Sequence, residues 1–576
     1  MTQMRMYKLA VTAVVTIAVI AGVYVLRGTA QGAPESQLLD DVAAALGGKA
    51  RVLGVRTLVV EGGGRQGDLN ALMTAESPLV GWDVRFKRTY DLANGRMRTW
   101  QSNRSLFPAR FDLQPAGGAR LVNALDGDIA FTLPADGSMI AAWADSNADG
   151  LTSIGSTWGI GTPERPATME AWPAKYPVGP QPPQRVFGPV AVTRRLDMLQ
   201  HPLTLVRAAL NGAKLSGLRT EGNRDLVDIV TGKGDKLTLA VDRTTKLPVS
   251  VSRIDGNAYW GDVVLKTSFA SYEDVSGLKL PRRLLTTLDR FFQTDFYVTW
   301  NTVDSEIGDL AAPASVVNAT QNPPRPPALV VEQVPGTTGM WKIWVEQGEV
   351  RPDQRPDTNA TCLMELSDHM VLFDVPGPDA FVQAVIAKAK ELRPNKPITQ
   401  LVLSHFDPGH TAGLRAGVAN GMELITYRAN VAAFTDVANR KHTINPDMLS
   451  MNPKPLKITA VDDSYTIADS MRELQLYHKI GDAESATMIV AYSPRDRVLV
   501  NTDAWNVITQ QTPNDSDSPS MYDNIVRRHL NVARHVPLHS LGMPTQAEFM
   551  KQLEYTRSME YQFFRLAQRL RVDSQF

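Results

Sequence analysis

The stretch ITQLVLSHFDPGHTAGL, residues 398–414, decides how this chain is read. Its first half is apolar over the length of a strand and closes on Ser404 and His405. Asp407 and His410 follow at once, then the small residues of a turn. A short apolar run that ends in ionisable side chains is how a buried strand of an α/β fold delivers chemistry at its carboxyl end. Working outward, MELITY (422–427), MIVAYSP (488–494), RVLVNTD (497–503) and VPLHS (536–540) read as further strands. Asp503 closes the third of these and His539 follows VPL in the last. AFVQAVIAKAKEL (380–392) has its apolar residues at helical spacing. Imidazoles and carboxylates gathered at strand ends are the usual ligands of zinc, manganese or iron.

Upstream the texture differs. Residues 37–46 (QLLDDVAAAL) predict a short amphipathic helix, closed by Gly47 and Gly48. From there to about residue 310 the signals are mostly those of antiparallel strands. Lys236 to Arg253 alternates around a turn at Thr244-Thr245-Lys246, and Val263 to Leu284 repeats the pattern around Gly277. The phrasing of 264–284 faintly resembles the curved sheets of periplasmic lipoprotein carriers. Such a sheet would cradle a hydrophobic ligand, shape access to the C-terminal cleft, or only pack against its neighbour. AAPASVVNATQNPPRPP then reads as a stiff polar linker. The expected organisation is an N-terminal segment at 1–33, a β-rich domain at 34–310, a linker at 311–327 and an α/β domain at 328–576.

The first 33 residues carry a separate message. Arg5 and Lys8 precede LAVTAVVTIAVIAGVYVL (9–26), a run without charge, and small residues follow to Ala33. This predicts a signal peptide or an uncleaved membrane anchor, with the rest of the 576 residues exported to the periplasm or cell envelope. Lys+Arg and Asp+Glu are both 60. That balance argues against nucleic acid as a partner, which calls for a basic excess. The single cysteine, Cys362, excludes an internal disulfide and any CxxC site, and it sits in an apolar run that predicts a core position.

The motif at 404–414 and the positions of Asp503 and His539 resemble the metallo-β-lactamase-fold hydrolases. That family carries His-x-His-x-Asp-His after a strand, then a later His, an Asp closing another strand, and a final His. The resemblance covers roughly 326–576 and implies a four-layer αβ/βα sandwich with a mono- or dinuclear metal site, so that the whole chain is α+β. It places the ligands at His405, Asp407, His410, Glu484, Asp503 and His539, with Asp407 and Asp503 also the catalytic candidates. The departures are specific. Asp407 stands where the family has its second His, Glu484 where it has the later His, and Gly409 where it has a carboxylate.

Two readings follow from that ligand set. In one, a divalent metal (zinc first, manganese or iron as alternatives) activates water to hydrolyse a small-molecule ester, amide, lactone or phosphate or sulfate ester. In the other, the site is degenerate, no metal binds, and the protein is an inactive envelope binding protein. Replacement of histidine by acids keeps metal binding chemically available, since carboxylates bind zinc at about 2.0–2.2 Å. No GxSxG or Cys/His pair suggests covalent catalysis. Asp145–Gly150 has the opening of a calcium loop but Ser156 where a bidentate Glu belongs, so a plain turn is expected. Gly62–Gly64 lacks a following GK[ST], and His478 is read as a strand residue that only proximity links to Glu484.

Overall fold

The computed structural model describes residues 34–67, 80–105, 121–134, 183–321, 328–345, 359–482, 485–505, 518–540 and 542–558. The leading apolar segment, the 145–150 turn and Glu484 lie outside these residues. The described chain is a mixed α/β structure built on three sheets.

The first is a thirteen-stranded antiparallel sheet that uses residues 57–303. Its middle is closed by the first strand, Thr57–Gly67, paired with the last, Phe291–Val303. The hairpins expected at 236–253 and 263–284 are present in it, as Lys236–Asp242 with Pro248–Asn257 and Gly261–Val275 with Leu278–Leu288. Ser276 (φ 53°) and Gly277 (φ 80°) make the second turn, with the Asp274 carboxylate accepting from the Gly277 N–H. One face is covered by the chain's own helices. Leu38, Leu39 and Val42 of Pro34–Ala45 and Leu203, Leu205 and Val206 of Pro202–Leu210 join Val60, Phe86, Leu239 and Phe296 in one apolar core. That face of the sheet is therefore packed with Leu and Val from within. Helices Val190–Leu199 and Pro202–Leu210 interrupt a region whose sequence reads as strands. Pro202 at the first helical position sets φ for the second of them.

Part of the stretch read as a linker is docked. Ala314–Val317 is helical, Val316 is buried against Ala124 and Phe131, and Arg185 donates to the Val317 carbonyl at 2.9 Å.

The other two sheets hold the rest of the chain. The larger runs Leu329–Gln333, Met340–Val345, Thr361–Glu365, Met370–Phe373, Ile398–Leu403, Glu423–Tyr427 and Ile458–Val461, and its last four strands are parallel. The smaller runs Ser464–Ala468, Glu473–His478, Ile489–Ser493, Val498–Asn501 and Arg534–Pro537, with only the final pair parallel. Val371, Val402 and Ile425 of one share a core with Ile489, Ala491, Val500 and Val536 of the other. Cys362 belongs to this seam and is fully buried. Helices Asp379–Leu392, Leu414–Ala419 and Val431–Asn439 pack on the larger sheet, and Ser518–Arg527 and Gln546–Arg557 belong with the smaller.

The antiparallel sheet and this second body share a core. At the hairpin after Pro248–Asn257, the Asn257 side chain accepts from the Tyr259 and Trp260 N–H groups, each at 2.8 Å. The two rings thus enter a cluster with Phe291, Phe406 and Phe434. Gly261, at φ +67°, lets the backbones meet, since a Cβ there would lie 2.2 Å from the Lys441 carbonyl oxygen. Arg440 donates to the Trp260 carbonyl and to Asp289. Trp260 is only 3% exposed. Trp260→Ala is expected to cost about 3–5 kcal/mol through lost burial and the cavity left behind, read as a lower denaturant midpoint of the full-length protein.

Candidate metal centre

Four carboxyl-terminal strand ends converge, two from each of the smaller sheets. Met370–Phe373 and Ile398–Leu403 are parallel neighbours followed by Asp374 and by His405. Val498–Asn501 and Arg534–Pro537 are parallel neighbours followed by Asp503 and by His539. The last strand ends at Pro537, two residues before His539, so His539 stands on the loop after it.

Two triads result, and they share one residue. His405, Asp407 and Asp503 form one, and His410, Asp503 and His539 the other, each with its ligand-type atoms within 4.8 Å of one another. His405 Nε2 lies 3.9 Å from Asp407 Oδ2 and 3.6 Å from Asp503 Oδ2. His410 Nε2 is 2.7 Å from Asp503 Oδ2, and His539 Nδ1 hydrogen-bonds Asp503 Oδ1. Five of the six ligands expected from the sequence are thus brought together. Glu484 lies outside the described residues, and His478 is engaged elsewhere, stacked on Tyr427 with Nε2 toward the Ala486 carbonyl.

Local structure explains each position. Asp407 caps the single helical turn Pro408–Thr411, Oδ1 accepting the Gly409 N–H at 2.5 Å, which leaves Oδ2 for the cluster. That turn carries His410 inward, and the His410 carbonyl accepts from the Val375 N–H. Gly409 does not have a left-handed φ. Its carbonyl accepts from Asn359 Nδ2, and a Cβ there would meet Asp407 Oδ1 at 2.9 Å.

Sequence reasoning missed the support behind His405. Ser404 Oγ lies 2.9 Å from His405 Nδ1 and donates to Asp374 Oδ2 at 2.7 Å, and Thr502 donates to the same oxygen. This chain places the imidazole proton on Nδ1 and presents Nε2 as the lone-pair nitrogen, the arrangement that orients a metal-binding histidine. Asp374 is fully buried at φ 59°, a conformation Asp tolerates better than most residues. Its signal was available, because MVLFD ends a strand on a carboxylate just as RVLVNTD does. Tyr259, whose hydroxyl lies 2.9 Å from Thr411 Oγ1, had no such signal.

The electrostatics are those of a buried, mutually dependent set. Burial pushes His405 below the ordinary imidazole range, against the pull of Asp503 and Asp407. Burial also opposes charge on His410, but the Asp503 carboxylate outweighs it and raises His410. Burial would raise Asp503, yet His410 and His539 hold its carboxyl well below the usual range. Such a cluster exchanges protons for a cation readily, since both are held by the same lone pairs.

No family model matches the chain, and no curated protein matches it. Among solved structures it is similar to a metallo-beta-lactamase from Pontibacter korlensis, with 16% identity over 40% of this chain and 100% of that one, at a TM-score of 0.31. It is also similar to one from Hirschia baltica, with 18% identity over 40% and 98% of the two chains and a TM-score of 0.30. A third, from Pseudomonas aeruginosa in its mono-zinc form, has 15% identity over 41% and 96% and a TM-score of 0.30.

Two outcomes follow from the shared carboxylate and from the glycine. Asp503→Asn should abolish binding at both triads and destabilise the metal-free protein by about 3–5 kcal/mol, the cost of breaking a buried pair, read by metal analysis and denaturation. Gly409→Asp should fold, because no φ penalty stands against it, and should raise metal stoichiometry by placing a carboxylate beside His410. The same stoichiometry as the parent would show that the new side chain only displaces Asp407.

Proposed function

We propose that the region from about residue 328 is a four-layer αβ/βα sandwich of the metallo-β-lactamase type. In this reading His405, Asp407, His410, Asp503 and His539, with Glu484, hold one or two divalent cations. The protein is then a hydrolase of a small ester, amide, lactone or phosphate or sulfate ester, exported to the cell envelope behind its apolar leader. The single observation that carries this is the pair of triads hinged on Asp503. Among the described residues no helix is long and apolar enough to cross a membrane, and residues 9–26 lie outside that set.

The donor set fits such a cation. Each triad offers three ligands of nitrogen and oxygen, the number that a catalytic site supplies while leaving a position open. His405 arrives with its tautomer preset by Ser404 and Asp374. Three of the four neighbours of Asp503 are buried, while the His539 side chain keeps 24% of its surface, which supports an approach for substrate from that side. A divalent cation held by these residues would lower the pKa of a bound water towards neutrality and would polarise the scissile carbonyl, phosphoryl or sulfuryl oxygen. Around it, Asp503 orients His410 and His539 and holds negative charge at the centre of the cluster. The oxygen share of the donors exceeds that of an all-histidine site and widens the choice from zinc towards manganese or iron.

Binding without turnover is the second reading, and one observation favours it. Gly409 brings no carboxylate beside His410, and Asp407 commits one oxygen to the backbone. Metal analysis of protein purified without chelator decides between occupancy and decay. Well below one equivalent of any transition metal would overturn the hydrolase reading, because a structural or catalytic site with these ligands retains its ion. A loaded protein should cleave an activated aryl ester or phosphate, and Asp503→Asn should abolish the cleavage. Because protons and cation compete for His410, metal affinity should rise with pH through its titration, with protons released on binding when heat is compared in two buffers.

A further inference from the structure

The loop that carries His539 is held by a residue from the other sheet. Lys342 lies on Met340–Val345 and is 1% exposed. Its Nζ donates to the carbonyls of Pro537 at 2.7 Å, Ser540 at 2.5 Å and Gly542 at 3.3 Å. Among the described residues no carboxylate forms an ion pair with it. Its cross-strand neighbours are Cys362 and Glu332. Burial lowers its pKa to about 8, so at neutral pH it is an ammonium with three N–H donors facing three carbonyls.

That geometry is unusual in its placement. The strand ends at Pro537, and the carbonyls on both sides of His539 turn inward instead of continuing a ladder. Buried carbonyls require donors, and burying a lysine is costly unless it is hydrogen-bonded. Two costs cancel here by meeting each other. The loop has other anchors at Leu538, whose N–H bonds the Asn501 carbonyl and whose carbonyl accepts from Ala360. None of these spans His539 itself.

We propose that Lys342 is the positioning residue of the His410–Asp503–His539 triad, fixing from the opposite sheet the loop that lets His539 reach Asp503. This rests on the metal reading above and assigns the role of a residue that touches no ligand. Lys342 bonds the backbone on both sides of His539 and not the imidazole, so it acts on that ligand through the loop; loss of polar groups that orient metal ligands weakens binding about 10–100-fold.

The test is a zinc titration of chelator-stripped full-length protein, comparing the parent with Lys342→Met, His539→Ala and the double variant. Lys342→Met is expected to weaken zinc binding about 10-fold or more, with the double variant no weaker than His539→Ala alone. Lys342→Arg, which restores N–H donors, is expected to recover most of the loss. Losses that add in the double variant would overturn the proposal, since a residue that only stabilises the fold acts independently of His539. Folded Lys342→Arg that binds like Lys342→Met would also overturn it, as would Lys342→Met that binds like the parent. If Lys342→Met does not fold, Lys342→Gln, with two N–H donors, carries the same comparison. Absence of zinc binding by the parent would instead remove the metal reading and this assignment together.

Discussion

A carboxylate with no exposed surface stays charged only if cations or donors surround it, and Asp503 is the place where this chain meets that demand. Its two oxygens are divided between His410, on the turn after one sheet, and His539, on the loop after the other. His405 completes the ring at 3.6 Å. The charge therefore ties together the turn that carries His410 and the loop that carries His539, more than a hundred residues apart in sequence. Removing any one leaves a buried charge or an unsatisfied imidazole behind.

The sheets make this meeting possible. Each contributes a pair of parallel strands, and parallel neighbours end on the same side. The apolar seam of Val371, Val402, Ile425, Val500 and Val536 brings the two pairs face to face. Polar side chains then collect where the apolar residues stop. Asp374, Ser404 and Thr502 lie directly behind the cluster, so its rear wall is itself a hydrogen-bonded network with little freedom to shift.

The antiparallel sheet belongs to the same construction. Tyr259 and Trp260 surround Phe406, the residue between His405 and Asp407, and the Tyr259 hydroxyl meets Thr411 beside His410. Aromatic rings at this joint bury large areas with few rotatable bonds, which makes the contact stiff. The N-terminal sheet therefore buttresses the turn that carries three of the clustered side chains, while its own helices cover one of its faces.

Much of this was legible in residues taken alone. A buried strand is short, apolar and closed by a polar residue, so Ile398–Leu403, Val498–Asn501 and the helix Asp379–Leu392 stand out, and with them His405, Asp407, His410 and Asp503. Leu329–Gln333 and Met340–Val345 were not read as strands, because prolines crowd the text before the first and Pro335, Gly336 and Gly339 break the text between them. What the chain's order alone determined was which side chains stand at strand ends, since local periodicity sets that. What only the tertiary structure decided was which of them meet. The pairing of sheets, the reach of Lys342 across to the His539 loop and the insertion of Tyr259 beside His410 depend on contacts between residues far apart in sequence, and no local pattern encodes a distance between two elements.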